Sequence, residues 1–209
     1  MADLEFFFDP VCPWAWITSR WVVDVRSQRD YEVSWKFISL KLLNEGNDGV
    51  PPQFVEAQRF GHGSLRVASA ARAAAGNDAV DRFYTAMGTA LHVNGRAQDA
   101  LADRAGFVAG VLRDAGLGEH LGDAFDDTAH DEVIRFETQT ALDRVGTGVG
   151  TPVLTFNPRT DRAASVFGPV VSRAPRGEEA VRLWDAVEVI ASSGVSEIKR
   201  TLRAAPRFD

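Results

Sequence analysis

The order of hydrophobic patterns along the chain restricts its fold more than any single residue does. Residues 3 to 8 form a short apolar run, Leu4-Glu5-Phe6-Phe7-Phe8 at its centre, that stops at Asp9-Pro10 and reads as a buried strand. From Cys12 to about Arg29 the period changes. Trp14, Ile17, Trp21 and Val25 recur at steps of three and four, the spacing of one face of a helix. Pro13 suits the first turn of such a helix, where its missing N–H has no partner to lose. A second strand is expected over Tyr31 to Ile38, with Val33, Trp35 and Phe37 on one side. Strand, helix, strand in that order is a βαβ unit, which implies a parallel pair and a right-handed crossover.

The character then shifts. Asn44 to Pro52 is rich in Asn, Gly and Pro and marks a boundary. From Gln53 to Val145 the chain is Ala- and Leu-rich with helical spacing, and we expect four to six helices broken at Gly61-His62-Gly63, Gly76-Asn77, Asn94-Gly95 and Gly116-Leu117-Gly118. After Gly146-Thr147-Gly148-Val149-Gly150 and Thr151-Pro152 come two strands, Val153 to Phe156 and Ala164 to Phe167. A helix from about Arg176 to Ser192 follows, then a short helical tail. Neither the first pair of strands nor the last could cover both faces of a sheet alone. The expected fold is therefore α/β, a thioredoxin-like βαβ…ββα core made of residues 1–52 and 147–209, with residues 53–146 as an inserted all-helical subdomain.

Composition narrows the function. The 209 residues carry a net charge of −6 and no basic run, so neither a nucleic acid nor a membrane surface is an expected partner. No segment has the basic start and long apolar stretch of a secretory signal, and none approaches the ~20 apolar residues of a membrane span. The expected location is the cytoplasm. There is one cysteine, so no internal disulfide can form, and the four histidines (His62, His92, His120, His130) lack metal-site spacing. No bound metal is expected. Nor does any GxGxxG or P-loop pattern point to a bound nucleotide.

That cysteine sits where chemistry is expected. Cys12 follows a strand and opens a helix, and the unpaired N–H groups and positive dipole end of a helix N-terminus stabilise an anion. Such a position can lower a thiol from its free value of ~8.5 into a range of roughly 3.5–7.5, and the thiolate is the reactive form.

The run Phe7-Phe8-Asp9-Pro10-Val11-Cys12-Pro13-Trp14, with Trp16-Ile17-Thr18-Ser19-Arg20-Trp21 behind it, resembles the DsbA-like proteins described as mycothiol-dependent nitroreductases. The similarity continues through Ser39-Leu40, Leu43-Asn44, Tyr84-Thr85-Ala86-Met87-Gly88, Gly150-Thr151-Pro152, Phe167-Gly168-Pro169 and Pro175-Arg176-Gly177-Glu178-Glu179. The resemblance implies an enzyme: a thiol-dependent oxidoreductase with a Cys-Pro-Trp-Cys dithiol, kept reduced by mycothiol as a low-molecular-weight thiol co-substrate. It would reduce disulfides or nitroaromatic compounds. It also implies that Thr151-Pro152 is a cis proline turn facing the active cysteine, that Pro13, Trp14 and Asn44 line the substrate pocket, and that Phe54 stands where a tyrosine belongs. Arg66 and His92, in the helical block, are further candidates for the cleft, and Arg176 for the thiol. Monomer or dimer is not decided by these residues.

One position departs from the pattern. Ala15 occupies the place of the second cysteine. A dithiol enzyme uses that sulfur to resolve the mixed disulfide made at the first. Three readings of Ala15 stand: a replacement made to trap the mixed disulfide, a natural monothiol site, or a paralogue with lapsed redox function. Two other functions stay open beside the reductase. One is a kappa-type thiol S-transferase or isomerase that binds its cofactor thiol non-covalently, against which Cys12 argues; the other is a non-catalytic binding module on the same scaffold.

Overall fold

The computed structural model describes residues 2–208. Its elements in chain order are β1 (Leu4–Phe8), α1 (Pro13–Arg26), β2 (Val33–Phe37), α2 (Leu40–Leu43), α3 (Pro52–Ala75), α4 (Asn77–Gly88), α5 (Ala97–Ala102), α6 (Arg104–Asp114), α7 (Asp131–Val145), β3 (Val153–Phe156), β4 (Ala164–Phe167) and α8 (Gly177–Ser192). A wide π turn over Thr89–Val93 prolongs α4, and short 3-10 turns at Glu119–Asp126 and Thr128–His130 lead into α7. The chain divides into two compact units. One holds the stretch up to Phe8, Pro13–Lys36 and the chain from Ala141 onward; the other holds Asp9–Cys12 and Phe37–Thr140. Among the described residues no helix is long and apolar enough to cross a membrane.

The first unit is built on one sheet in the order β2-β1-β3-β4. β1 runs antiparallel to β3, with Leu4 opposite Phe156 and Phe7 opposite Val153, and β3 runs antiparallel to β4. β1 is buried along all five residues, which is why it reads as a continuous apolar run rather than an alternating one. Its one charged member, Glu5, is neutralised by an ion pair with Arg144, which also donates to Thr155 Oγ1. α1 and α8 cover the sheet through aromatic side chains. Trp21 donates its indole N–H to Ala180 O at 2.8 Å, and its ring lies 5.6 Å from that of Trp184. Trp184 in turn meets Tyr31 at 4.7 Å and Phe156 at 5.0 Å. Each such aromatic pair adds about 0.5–1.5 kcal/mol beyond the area it buries.

The second unit is helical and centred on α3, whose inner side carries Leu65, Val67 and Ala68 into a core with Phe83, Met87, Val111 and Leu112. Phe60 packs on Phe107 and Phe125, with ring centroids 6.0 and 5.5 Å away. The far end of β2 is held here too: Glu137 accepts the Phe37 N–H at 2.8 Å and binds Arg72 at 2.9 Å.

Two expectations fail. Gly61-His62-Gly63 does not break the helix; α3 continues through it for 24 residues. The glycines serve close approach instead. A Cβ on Gly61 would fall within contact distance of Asp9 Oδ1 and 2.9 Å from Val11 Cγ2, and one on Gly63 would collide with the Phe125 ring. The helical tail is also absent: among the described residues beyond Ser193 no regular structure forms. Val195, Ile198 and Leu202 have helical spacing but stand 48%, 74% and 89% exposed, so no partner buries their face, and a short helix without one is marginal in water. The tail is fastened by its backbone, with Arg207 N–H donating to Ser172 O at 2.8 Å and Ser172 Oγ donating to Ala204 O at 3.3 Å.

Candidate active site around Cys12

β1 ends in a tight turn, Asp9-Pro10-Val11-Cys12, closed by the Cys12 N–H donating to Asp9 O at 3.0 Å. Asp9 uses its side chain as well. Oδ1 accepts the Val11 N–H at 3.1 Å, and Oδ2 accepts the Leu40 N–H at 2.8 Å. One carboxylate therefore holds the turn in shape and ties it to the start of α2. Asp9 is completely buried, and burial pushes its carboxyl up to about 7, against the pull of the Leu40 and Val11 N–H groups. A carboxyl poised near neutrality three residues from the chain's cysteine is the kind of perturbed group that clusters at functional sites.

Pro10 is held from another side. His92 Nε2 donates to Pro10 O at 2.9 Å, and since a carbonyl can only accept, the proton belongs on Nε2. Burial lowers the pKa of His92, so the imidazole is neutral at physiological pH. The turn that carries Cys12 is thus gripped by Asp9 from within, by Leu40 and by His92, with Gly61 of α3 pressed close behind it.

Cys12 itself is buried, 6% exposed, and stands immediately before α1. Pro13 and Trp14 on the first turn are half-buried, and Ala15 is fully buried. The Arg203 guanidinium lies over the Trp14 ring, 5.9 Å from its centroid. Thr151-Pro152 leads into β3, and its peptide bond is cis, as the resemblance implied. Thr151 Oγ1 donates to Phe7 O at 3.2 Å, and Pro152 O accepts the Gly168 N–H at 2.9 Å. A second cis bond, Gly168-Pro169, was not anticipated; Thr18 of α1 donates to Pro169 O at 2.8 Å.

The remaining candidates are scattered by comparison. Asn44 caps α2, its Nδ2 donating to Leu40 O at 2.9 Å. Phe54 lies on the first turn of α3, 55% exposed. Arg66 is committed elsewhere: it grips Asp131 with two nitrogens, at 2.6 and 2.7 Å, and donates to Phe125 O at 3.2 Å. Five residues of α-helix place Arg66 about 140° around α3 from Gly61, so it points away from the Cys12 turn. Asp131 is held down to about 2 by that guanidinium. It also receives Nε2 of His62, a buried imidazole whose Nδ1 meets Ser39 Oγ at 2.9 Å. Arg176, weighed for the thiol, is the exposed residue before α8 and pairs with Asp24 at 3.6 Å.

Sequence reasoning missed Asp9 and the Ser39–His62–Asp131 chain. Asp9 was read only as the stop of a strand. Its signal was present: an acid directly after a five-residue buried run must either leave the core or find donors within it.

A thioredoxin-type sheet, a helical block after its second strand, and a cysteine at the start of the first helix define a thioredoxin-fold thiol oxidoreductase of the DsbA-like class. Within that class the chain belongs to the Rv2466c-like family, described as Mycothiol-dependent nitroreductase Rv2466c, whose family model matches residues 11–200. It is 32% identical over 194 residues to the protein described as Uncharacterized protein Rv2286c of Mycobacterium tuberculosis, a match covering 91% of this chain and 78% of that one. In fold it is similar to the cytosolic disulfide reductase DsbM from Pseudomonas aeruginosa, solved with GSH (TM-score 0.58, 17% identity, 88% of this chain and 98% of that one). A second structure of that reductase gives a TM-score of 0.57 at 18% identity, over 89% and 98%.

Proposed function

We propose that the chain is a monothiol reductase that works through Cys12 and draws on mycothiol, or another low-molecular-weight thiol, in the cytoplasm. The observation that carries this reading is the pairing of Cys12 at the head of α1 with a buried Ala15 one turn on. Residues 53–146 are the helical insert of a core made by 1–52 and 147–209. The Cys12 thiolate attacks one sulfur of a substrate disulfide, forming a mixed disulfide and releasing the other sulfur as a thiolate. An external thiolate then attacks that mixed disulfide, frees Cys12 and leaves with the bound sulfur. A second external thiolate then displaces the substrate sulfur from that released mixed disulfide, so that two external thiols end joined as their own disulfide, two electrons pass to the substrate disulfide, and the protein ends as it began. Nitroaromatic compounds are the second substrate class, by family membership.

Trp14, two residues along the chain from Cys12, is proposed to offer an aromatic ring to the substrate, and Pro13 and the Thr151-Pro152 turn to bear the backbone for strand-like pairing with it. His92 positions the turn through Pro10. Asn44 and Phe54 complete the set proposed to contact substrate or thiol, whereas Arg66 is engaged by Asp131.

Intact-protein mass spectrometry after incubation with oxidised mycothiol tests this. The expected product is a one-to-one adduct on Cys12, absent in Cys12→Ser and removed by added thiol. Turnover that persists in Cys12→Ser would favour a transferase that binds its thiol non-covalently. An inert protein would leave only a binding module.

A further inference from the structure

On the side of α3 away from the Cys12 turn lies an open cavity of about 400 Å³, walled by α2, α3, α5, the start of α6 and the 3-10 turn that carries Phe125. Its base is apolar, with Phe60 and Phe125 in ring contact and Leu101 at the rim. Gly63 is part of the same wall, and its missing side chain lets Phe125 lie flat against α3.

The polar lining is unevenly paired. Arg104 is matched by Asp126 at 2.6 Å and Arg66 by Asp131. Lys41 and Arg59 are in no ion pair among the described residues, yet both line the cavity. Inside it four cations face Glu56 and Asp126, and Asp131 and Asp127 act on Arg66 from behind, so the unmatched positive charge is local to Lys41 and Arg59. His62 adds none, because burial and then the neighbouring Lys41 lower its pKa and keep it neutral at pH 7. Unmatched cations beside a largely buried aromatic floor, with the Arg104 guanidinium over the Phe125 ring at 4.6 Å, in a volume within the ~300–1,000 Å³ range of small-molecule sites, suit a compact organic anion. The guanidinium of Arg59 is shaped to take a carboxylate with two parallel bonds, and Lys41 adds a point charge.

We propose that this cavity is a binding site, separate from Cys12, for a small carboxylate with a flat apolar body. The carboxylate lies between Lys41 and Arg59 and the apolar body on Phe60 and Phe125. No covalent step is involved.

Calorimetric titration of the full chain with benzoate tests the proposal, with acetate, sulfate and benzamide as comparisons. Benzoate should bind one-to-one and at least tenfold more tightly than acetate or sulfate, which lack the ring, or benzamide, which lacks the charge. Lys41→Met/Arg59→Met should weaken benzoate at least tenfold with an unchanged melting temperature, and Glu56→Gln should tighten it. Cys12→Ser should bind benzoate like the parent, which separates this site from the redox chemistry. Benzamide binding as well as benzoate, sulfate binding as tightly, or the double variant retaining full affinity would each overturn the proposal.

Discussion

The Asp9 carboxylate and the Leu40 backbone N–H, 31 residues apart in sequence, meet at 2.8 Å and join the turn bearing Cys12 to the first residue of α2. Ser39, one residue earlier, meets His62, which meets Asp131, which is clasped by Arg66. A row of polar groups thus crosses the helical unit beside α3, from an acid near neutrality at one end to a strong acid at the other. The two acids respond to pH in opposite senses, and that can be measured.

Asp9 has a folded pKa of about 7 against 3.8 when exposed. Between those values the native state holds a proton that the unfolded chain has lost. The contribution to stability is therefore full below about pH 4 and is lost as pH rises through 7, by up to about 4 kcal/mol. Asp9→Asn cannot ionise and should lose far less stability between pH 5 and 8 than the parent in urea unfolding. Parallel pH slopes for the two proteins would refute this.

Asp131 behaves inversely. Its folded pKa lies at about 2, below the exposed value of 3.8, so its contribution is present above pH 4 and disappears as pH falls toward 2. Asp131→Asn should cost roughly 1.5–3 kcal/mol at pH 7, through weakened charged bonds to Arg66 and His62. At pH 2.5 the difference from the parent should shrink markedly in thermal unfolding; a constant penalty across that range would contradict the assignment.

Alanine at three helical glycines should separate crowding from propensity. Gly61→Ala and Gly63→Ala force a methyl against Asp9 and Phe125, and overpacking of this kind costs about 1–3 kcal/mol despite the better helix propensity of alanine. Gly110→Ala, within α6 with open space around it, should gain up to about 1 kcal/mol. Denaturant midpoints of the three variants read this directly. Stabilisation by Gly61→Ala would mean that α3 and the Asp9 turn do not approach so closely.

Ala15→Cys should convert the proposed chemistry. With a second sulfur one turn along α1, the Cys12 mixed disulfide can be displaced internally, and the bound thiol should leave within one cycle without any added thiol. Quenched-flow mass spectrometry of both proteins with oxidised mycothiol follows the adduct. An adduct as long-lived in Ala15→Cys as in the parent would end the dithiol-derived mechanism.

Much of the fold was legible because its periods are unambiguous. β3 and β4 fall where the apolar runs put them, and α1 starts at Pro13, as the fixed proline φ favours. The failures share a cause. Gly61 and Gly63 look like breakers because local propensity sees only the lost side chain, whereas what selects glycine there is an atom 52 residues earlier and another 62 residues later. The tail looks helical because Val195, Ile198 and Leu202 are correctly spaced, but spacing cannot report that nothing covers them. The place of Cys12, between β1 and the head of α1, was legible from the junction alone. Asp9 was not, since its importance lies in two backbone donors, one of them on an element whose position no local pattern encodes.

The fastening of the C-terminal segment bears on how the protein is handled. Between its two hold points on Ser172, at Ala204 and at Arg207, and the guanidinium of Arg203 over Trp14, the stretch 203–207 acts as a strap across the aromatic ring two residues along the chain from Cys12. A purification tag or fusion partner appended there would tug on that strap, and one cut away with the final residues would leave Trp14 bare. Assays of Cys12 should be run on protein carrying its tag at the amino end.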